Sequence, residues 1–404
     1  MKIALISDIH FGSQATNNDL VVSGQKCIDG HHPTASPFFK GVIDTLKNER
    51  PDYLFIAGDL TSTADPLEYE QCYRQLLRLE SEAEINHSNW FVCLGNHDVD
   101  RRISDLHKKG TQYKAADKTA FSKHYLDTRT NDLATHSIIK VLSGNFSPIY
   151  EKTDIPLVGV VDRNDCIVFV LNSGYLCTAE KAGGKLGNNQ LRWFETAAAK
   201  CSKLNVGNDK PKIVLIHHHP YNLPYPIPVD DLSTLTEGAD IQAICGNNGI
   251  ELVIHGHRHH PIAETVYKNG WIKPVTFICA GSLSVEAKER LSGVIKNTFH
   301  IIDYVNAGQI ILRTYAYDIT DGWKKMNTRD IDDEVMLGRC IQYSEVEPYI
   351  NNLPVNEWIE YSTIHEELKY FSYEKLNGWI KDIHKKLGRR IEGKFPDNVR
   401  IDNI

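Results

Sequence analysis

The sequence contains no apolar run long enough to cross a bilayer, which takes about 20 consecutive apolar residues. Its first residues carry a single lysine and an apolar run that is too short for a secretory signal peptide. These two absences predict a cytoplasmic protein without a membrane partner.

Paired cysteine motifs are also absent. The nine cysteines are scattered, and none forms a C-x-x-C pair. Several of them, such as Cys93, lie inside apolar runs. We therefore predict buried, reduced thiols rather than disulfides or a thiolate metal site.

An excess of positive charge is missing as well, because the formal net charge of the 404 residues is −7. A protein that coats long nucleic acid usually presents a basic face, and single-strand binders usually add stacking aromatic residues. The chain shows no interleaved basic and aromatic runs, no internal repeat and no low-complexity tract. Nucleic acid is therefore not the favoured partner.

Short apolar runs do occur along the chain, and they are nearly continuous, as in strands buried on both faces. They cover residues 2–7, 53–57, 90–94, 166–171, 212–216, 251–254 and 274–279. Helical patterns lie between several of these runs, at residues 38–48, 67–84 and 190–203. The alternation of strands and helices predicts a layered α/β domain.

Besides the polar residues 14–33, which predict a long loop, two segments interrupt this alternation. Residues 99–147 are charged and weakly amphipathic, which predicts an inserted helical lobe. No strand is predicted after Tyr315, and residues 331–404 look helical in parts, notably over 366–389. This tail carries no chemical motif.

Polar signatures follow the carboxyl ends of five apolar runs. They are Asp8-Ile9-His10, Gly58-Asp59, Gly95-Asn96-His97-Asp98, His217-His218-His219-Pro220 and Gly256-His257-Arg258-His259. In an open α/β sheet, sites form in the crevice outside the carboxyl ends of the strands. Residues that are far apart in the chain are therefore expected to converge at one edge.

The residue types in these signatures suit a pair of divalent cations, because carboxylate and amide oxygens and neutral imidazoles are the ligands of Mn, Fe, Zn or Co. Asp59 can bridge two ions through its two oxygens. Asp8, His10 and one distal histidine would complete the first ion. Asn96, a histidine of the triple run and the other distal histidine would complete the second. The glycines before these residues allow tight turns at the strand ends.

In this order, the signatures resemble those of the calcineurin-like metallophosphoesterase family. The resemblance extends from Met1 to about Tyr317 and includes Ala280-Gly281-Ser282 after the last predicted strand. It implies an α/β fold, a two-sheet sandwich flanked by helices, with a partly helical C-terminal extension. We therefore predict a catalytic domain over residues 1–330, with the lobe at 99–147, and an extension over 331–404. Three roles are open for this extension: capping the site, forming a homodimer interface, or docking on a partner protein.

The resemblance also implies a set of site residues. Seven metal ligands would hold two divalent ions: Asp8, His10, Asp59, Asn96, His217, His257 and His259. Three histidines stand where the family usually has one or two; we prefer His217, which directly follows the strand, with His218 as the alternative. Mn²⁺ is the expected metal, and Fe, Zn or Co are alternatives.

A reaction follows from the same resemblance. A hydroxide that bridges the two metal ions would attack phosphorus, and His97 would protonate the leaving group as general acid. Asp98 would hold the imidazole of His97 in its useful tautomer, and Arg258, Arg101 or Arg102 would contact phosphate. Four additional histidines are expected to be solvated loop residues or to hydrogen-bond to a metal ligand without binding metal themselves: His31, His32, His255 and His260.

The order of the motifs most resembles the bacterial cyclic-nucleotide phosphodiesterases of this family. We therefore predict a metal-dependent phosphodiesterase that hydrolyses a nucleotide or another phosphodiester substrate. The alternative is a metal-dependent nuclease that acts on single-stranded or end-exposed DNA or RNA. A protein phosphatase would carry further arginine motifs that are not seen here, and a binding module without activity would typically lack some of the ligands.

Overall fold

The computed structural model of the chain describes residues 1–12, 37–64, 66–98, 146–153, 155, 157–177, 183–205, 207, 210–221, 234–285 and 295–403. Apart from its last two residues, the predicted lobe at 99–147 lies outside these ranges. So do His31, His32, Arg101 and Arg102.

Sixteen strands lie within the described ranges. In chain order they are β1 (Lys2–Ile6), β2 (Tyr53–Ile56), β3 (Trp90–Val92), β4 (Gly159–Asp162), β5 (Ile167–Val170), β6 (Lys212–Leu215), β7 (Leu252–His255), β8 (Pro261–Val266), β9 (Val275–Ala280), β10 (Thr298–Asn306), β11 (Gln309–Asp318), β12 (Gly322–Lys325), β13 (Glu334–Leu337), β14 (Trp358–Ile359), β15 (Arg389–Gly393) and β16 (Val399–Asn403).

Six α-helices lie within the same ranges: α1 (Pro37–Glu49), α2 (Pro66–Ala83), α3 (Gly187–Leu204), α4 (Gly238–Asn247), α5 (Tyr343–Asn351) and α6 (Tyr373–Lys386). The first three match the predicted helices to within a few residues. Among the described residues, no helix is long and apolar enough to cross a membrane.

Two large sheets form the body of the molecule. The first has the order β12-β11-β10-β1-β2-β3, with β13 also paired to β11, and the second has the order β4-β5-β6-β7-β9-β8. The strands β1, β2 and β3 are parallel to one another, and so are β5, β6, β7 and β9. All seven predicted strand segments belong to these parallel parts.

Three apolar layers hold the two sheets and their helices together. Ile3, Leu5 and Phe55 of the first sheet pack with Leu215 and Ile254 of the second in the layer between the sheets. The outer face of the first sheet packs against α1 and α2, and that of the second packs against α3 and α4. Strands that are buried on both faces explain the continuous apolar runs of the sequence. The predicted two-sheet sandwich flanked by helices is confirmed.

The prediction that strands end after Tyr315 is wrong. The strand β11 continues to Asp318, β12 and β13 pair with it, and β14, β15 and β16 form a third sheet. Along β11 buried residues alternate with half-exposed ones, because one face lies on the core and the other meets solvent. A search for continuous apolar runs misses such strands.

The C-terminal segment is only partly helical, as predicted, but its helix is shorter than the predicted range 366–389. A 3₁₀ turn at Glu366–Tyr370 precedes α6, which ends at Lys386, and β15 begins at Arg389. This segment has an apolar core of its own, in which Leu368, Leu376 and Ile401 are fully buried.

Candidate metal centre

The carboxyl ends of the parallel strands of both sheets meet at one edge of the sandwich. Asp8, Asp59 and Asn96 follow β1, β2 and β3 in the first sheet, and His217 and His257 follow β6 and β7 in the second. The turns are joined by backbone hydrogen bonds of 3.0 Å from Asp8 N to Gly58 O and from Gly256 N to His217 O. The fold therefore brings the five signatures together.

Several of the predicted ligands have a left-handed backbone conformation, which non-glycine residues rarely adopt. Their φ angles are 50° at Asp8, 52° at His10, 51° at Asp59, 80° at His257 and 55° at His259. Such conformations cost about 1–3 kcal/mol each and persist only where the surroundings hold them. Their concentration at one edge marks a functional site.

The glycines of the signatures allow the strand ends to approach one another closely. A Cβ atom at Gly95 would collide with the Asp59 side chain, and one at Gly256 would collide with Ser7 and Asp8. At Gly58, whose φ is 90°, a Cβ atom would lie 2.5 Å from His217 Nδ1. Any larger residue would push the predicted ligands apart.

Asp8 is the centre of the first group of side chains. Its Oδ1 lies 3.2 Å from His259 Nε2 and 3.9 Å from His10 Nε2. Its Oδ2 accepts hydrogen bonds from Ser7 Oγ at 2.5 Å and from the backbone N–H of His257 at 3.1 Å. These two hydrogen bonds fix the orientation of the carboxylate, so that Oδ1 faces the two histidines.

Asp59 connects this group to a second one. Its Oδ2 lies 3.7 Å from His10 Nε2 and 3.2 Å from His217 Nε2, while its Oδ1 accepts a hydrogen bond of 2.8 Å from the backbone N–H of His97. The rings of His217 and His257 are neighbours, with centroids 5.1 Å apart. Asp59 thus stands between the two groups, at the position where the sequence analysis expects a carboxylate that bridges two ions.

The two adjacent histidines at the end of β6 have different surroundings. His217 Nδ1 donates to the carbonyl oxygen of Ala57 at 2.6 Å, so its Nε2 points toward Asp59. The ring nitrogens of His218 lie 2.7 Å from Ser173 Oγ and 3.8 Å from Cys177 Sγ. Both histidines therefore have the hydrogen bond at Nδ1 that is usual for a metal-binding histidine. The contact of His217 Nε2 with Asp59 favours His217, and the ligating atoms of His217, His218 and His257 lie within 4.8 Å of one another.

This edge contains buried polar atoms that have no hydrogen-bond partner among the described residues. Their chemistry shows whether the edge suits cations. Five of the seven predicted ligands have such an atom: Asp8 Oδ1, His10 Nε2, Asn96 Oδ1, His217 Nε2 and His257 Nε2. A buried polar atom without a partner is unfavourable, and these are the oxygens and imidazole nitrogens that borderline divalent ions bind. The residues therefore fit a metal centre.

The charges at the site also suit cations. Although burial alone would raise it, the histidines His217 and His97 hold the pKa of Asp59 well below its ordinary value. Burial lowers the pKa of His10 to about 4 and that of His257 well below its ordinary value. For His217 burial acts in the same direction, but the carboxylates of Asp59 and Asp8 raise its pKa to about 9. Ionised Asp59 beside neutral His10 and His257 is the state in which these groups bind metal, whereas His217 would release a proton when an ion binds.

His97 lies at the rim of the centre and is half-exposed. A ligating atom of His97 falls within 4.8 Å of those of His10 and Asp59. Its Nδ1 donates to the carbonyl oxygen of Ser62 at 2.7 Å. Asp98, expected to orient this ring, instead accepts hydrogen bonds from the backbone N–H groups of Thr61 and Gly95, both at 3.0 Å.

Other residues of the sequence analysis take supporting positions. Ser282 Oγ donates to the carbonyl oxygen of Asp8 at 3.0 Å, and His260 Nε2 lies 2.6 Å from Asp330 Oδ2. Ser62 and Ser173, which contact His97 and His218, were not identified from the sequence. Isolated serines in loops carry no signal that would have distinguished them.

The comparisons with known proteins agree with this geometry. The family model described as calcineurin-like phosphoesterase matches residues 1–261 of the 404. No curated protein matches the chain.

Several solved structures are similar to this chain, among them the following three. The purple acid phosphatase PPD1 from yellow lupin (Lupinus luteus) seeds has 13% identity and a TM-score of 0.46, over 86% of this chain and 55% of the lupin chain. A putative 5'-nucleotidase from Staphylococcus aureus has 15% identity and a TM-score of 0.35, over 89% of this chain and 61% of the other. Vacuolar Protein Sorting 29 from Cryptosporidium parvum has 10% identity and a TM-score of 0.33, over 83% and 95%.

This chain therefore spans little more than half of the lupin phosphatase chain. The family model, in contrast, covers most of the chain and includes all five signatures. The protein belongs to the calcineurin-like phosphoesterase family.

Proposed function

We propose that this protein hydrolyses phosphodiester bonds in a nucleotide-type substrate and uses two divalent ions, with Mn²⁺ as the preferred metal. The observation that carries the proposal is the cluster of buried carboxylate, amide and imidazole groups around Asp59, five of which have a polar atom without a hydrogen-bond partner among the described residues. Two ions of this kind supply charge neutralisation at the phosphoryl oxygens and an activated water near neutral pH.

Each ion would have its own group of ligands. The first would be held by Asp8, His10, Asp59 and His259, and the second by Asp59, Asn96, His217 and His257. The 3.2 Å distance between Asp8 Oδ1 and His259 Nε2 supports His259 as the distal histidine of the first group. The contact between the rings of His217 and His257 supports His257 in the second.

His97 would protonate the leaving alkoxide. Its bond to Ser62 occupies Nδ1, so Nε2 is the nitrogen that would exchange the proton. The side chain lies beside His10, at 4.8 Å between ring centroids, and is half-exposed, so it can reach a bound ester. Positioned acids of this type contribute about 10²–10⁴-fold to the rate.

A small or flexible phosphodiester is the favoured substrate class. The net charge of −7 does not provide the many Lys and Arg contacts with phosphate that binding to long duplex DNA requires. A nuclease that acts on single-stranded or end-exposed DNA or RNA is the alternative, and the test below separates the two.

The deciding experiment is a substrate panel on protein that has been stripped with chelator and reloaded with Mn²⁺, Fe²⁺, Zn²⁺ or Co²⁺. The panel contains bis-p-nitrophenyl phosphate, a phosphate monoester, cyclic nucleotides, and single- and double-stranded DNA and RNA. We expect diesters to be preferred to monoesters, cyclic nucleotides to be cut, and Mn²⁺ to restore the most activity. Full activity in excess chelator would contradict the metal assignment, and cutting of DNA with cyclic nucleotides untouched would establish the nuclease.

A further inference from the structure

A separate group of metal-binding side chains lies beside the centre: His219, His255 and Cys279. One ligating atom from each falls within 4.8 Å of the others. All three residues are fully buried. None of them is among the seven predicted ligands, and the sequence predicted Cys279 to be an inert thiol.

The strand register explains why these three residues meet. His255 ends β7, and its direct partner in the neighbouring parallel strand β9 is Cys279. Paired residues of neighbouring strands project from the same face of a sheet. Val253 and Phe277, two positions earlier, belong to the layer under α3 and α4. The cluster therefore lies on the outer face of the second sheet, whereas the metal centre lies at its edge.

His219 completes the cluster from the other side of β7. It follows β6, which pairs with β7 on the side opposite to β9. The centroids of the His219 and His255 rings are 4.7 Å apart, with nearly perpendicular planes at 80°. The ring of Tyr221 lies 5.7 Å from that of His255 and covers one side of the group.

The histidine nitrogens of this cluster lack hydrogen-bond partners among the described residues. Both ring nitrogens of His219 and both of His255 are buried without a hydrogen-bond partner among the described residues. Four such atoms in one apolar layer are exceptional, because buried polar groups are nearly always hydrogen-bonded. Cys279 Sγ makes a weak contact of 3.6 Å with the carbonyl oxygen of Gly256.

We propose that His219, His255 and Cys279 bind a third divalent ion of the zinc class. Two imidazoles and one thiolate form a borderline-to-soft ligand set, which Zn²⁺ and Co²⁺ prefer and Mn²⁺ does not. The thiol releases its proton when the ion binds. Three protein ligands leave one position of a tetrahedral zinc ion for water.

The third ion would position the ligands of the second one. His219 comes two residues after His217, and His255 comes two residues before His257. An ion that ties His219 to His255 would fix both segments that carry these neighbouring ligands. Its role is structural support of the centre, and it does not depend on the identity of the substrate.

Cobalt spectroscopy on the full chain tests this site apart from the proposed hydrolysis. The ligands proposed for the metal centre are nitrogen and oxygen atoms, so thiolate-to-cobalt charge-transfer absorption in the near ultraviolet reports a bound cysteine. The variant below shows whether this cysteine is Cys279 or another thiol, such as Cys177 beside His218. We expect the chelator-stripped protein to develop this band on titration with Co²⁺. The variant Cys279→Ser should lose the band and bind one cobalt ion fewer than the wild type.

Two other cysteine variants are the controls. Cys245→Ser removes a thiol that is buried but outside the cluster, and Cys340→Ser removes an exposed one. Both should keep the band and the cobalt content of the wild type. A wild type without the band, or a Cys279→Ser protein that keeps it, would overturn the proposal.

A measurement on the wild type avoids dependence on the folding of a variant. The X-ray absorption spectrum of the zinc-loaded protein should contain a sulfur scatterer at about 2.3 Å. A spectrum with nitrogen and oxygen scatterers only would overturn the third site and would leave the proposed two-ion centre unaffected.

Discussion

Single residues at the centre combine a ligand side chain with an unfavourable backbone. Asp8 and Asp59 have φ near 50°, a conformation that aspartate and asparagine tolerate better than most residues. The adjoining glycines leave room for the turns. A change from Asp to Asn at these positions therefore alters charge and coordination while the backbone is preserved.

Asp59→Asn is expected to lose more activity than a change at any other proposed ligand. Asp59 faces both groups of side chains, so the substitution removes one negative charge from both ions together. Metal content by mass spectrometry and hydrolysis of bis-p-nitrophenyl phosphate are the measurements. Asp44→Asn, at an exposed position on α1, is the control. If the two variants behaved alike, Asp59 would not be the bridge.

His97→Ala separates proton donation from metal binding. The variant should retain both ions, because Asn96 and not His97 is assigned as ligand. Its kcat on esters with poor leaving groups, such as ribose alkoxides, should fall by about 10²–10⁴-fold. On p-nitrophenyl esters the loss should be much smaller, since this leaving group needs little protonation.

The control for this prediction is His217→Ala. It should weaken the second ion and slow both types of ester alike, with partial recovery at high metal concentration. Equal losses on both leaving groups in His97→Ala would show that His97 is not the acid.

At the scale of elements, a buried histidine connects the two sheets. His300 in β10 of the first sheet contacts, through Nε2, the carbonyl oxygen of Ala280 in β9 of the second sheet at 2.9 Å. Its Nδ1 lies 3.2 Å from Thr314 Oγ1 in β11. Burial lowers the pKa of His300 to about 4.

This lowered pKa makes the free energy of unfolding depend on pH. The unfolded histidine titrates at about 6.5, so between this pH and about 4 the unfolded state binds an additional proton. Stability should therefore fall as the pH falls through 6.5. In denaturant unfolding of metal-free protein, His300→Gln should reduce the loss between pH 7.5 and 5 by about 2 kcal/mol. His87→Gln, at an exposed ring, should leave the loss unchanged; an equal loss in all three proteins would contradict the assignment.

At the scale of the whole molecule, the position of the boundary between the two large sheets and the C-terminal segment depends on β13. The strand β13 pairs with β11 through four residues, and Ile331 and Leu337 belong to the layer between the large sheets. The core of the C-terminal segment is made from later residues, beginning with Val346. The sequence predicted a boundary at residue 330, and this arrangement favours one after β13.

Two truncated proteins test the boundary. A chain that ends at residue 339 should fold and bind metal, because it keeps β13. A chain that ends at residue 330 should unfold at a lower temperature, since it loses the burial of Ile331 and Leu337, worth about 1.5–3 kcal/mol each. Thermal unfolding and metal content are the measurements, and equal stability of the two chains would support the boundary at residue 330.

Much of the central fold and the candidate ligands could be predicted from the sequence, because both depend on local patterns. Strands buried on two faces read as continuous apolar runs, and Asp8, Asp59, Asn96 and His257 follow such runs directly. None of the seven predicted runs covers β11 or β13, because buried and half-exposed residues alternate along β11 and β13 lies at an edge of its sheet. Such segments can be recognised as strands only when the strand with which each of them pairs is known.

The sequence by itself determined the types and order of the polar residues at the strand ends, and through them the family. Only the tertiary structure decided which atoms meet. His217 and His218 are adjacent in the sequence, but Ala57 and Ser173, which follow β2 and β5, give them different partners. His255 and Cys279 are ordinary buried residues until the register of β7 and β9 pairs them. Contacts between distant segments arise from packing and strand register, and these are properties of the whole fold.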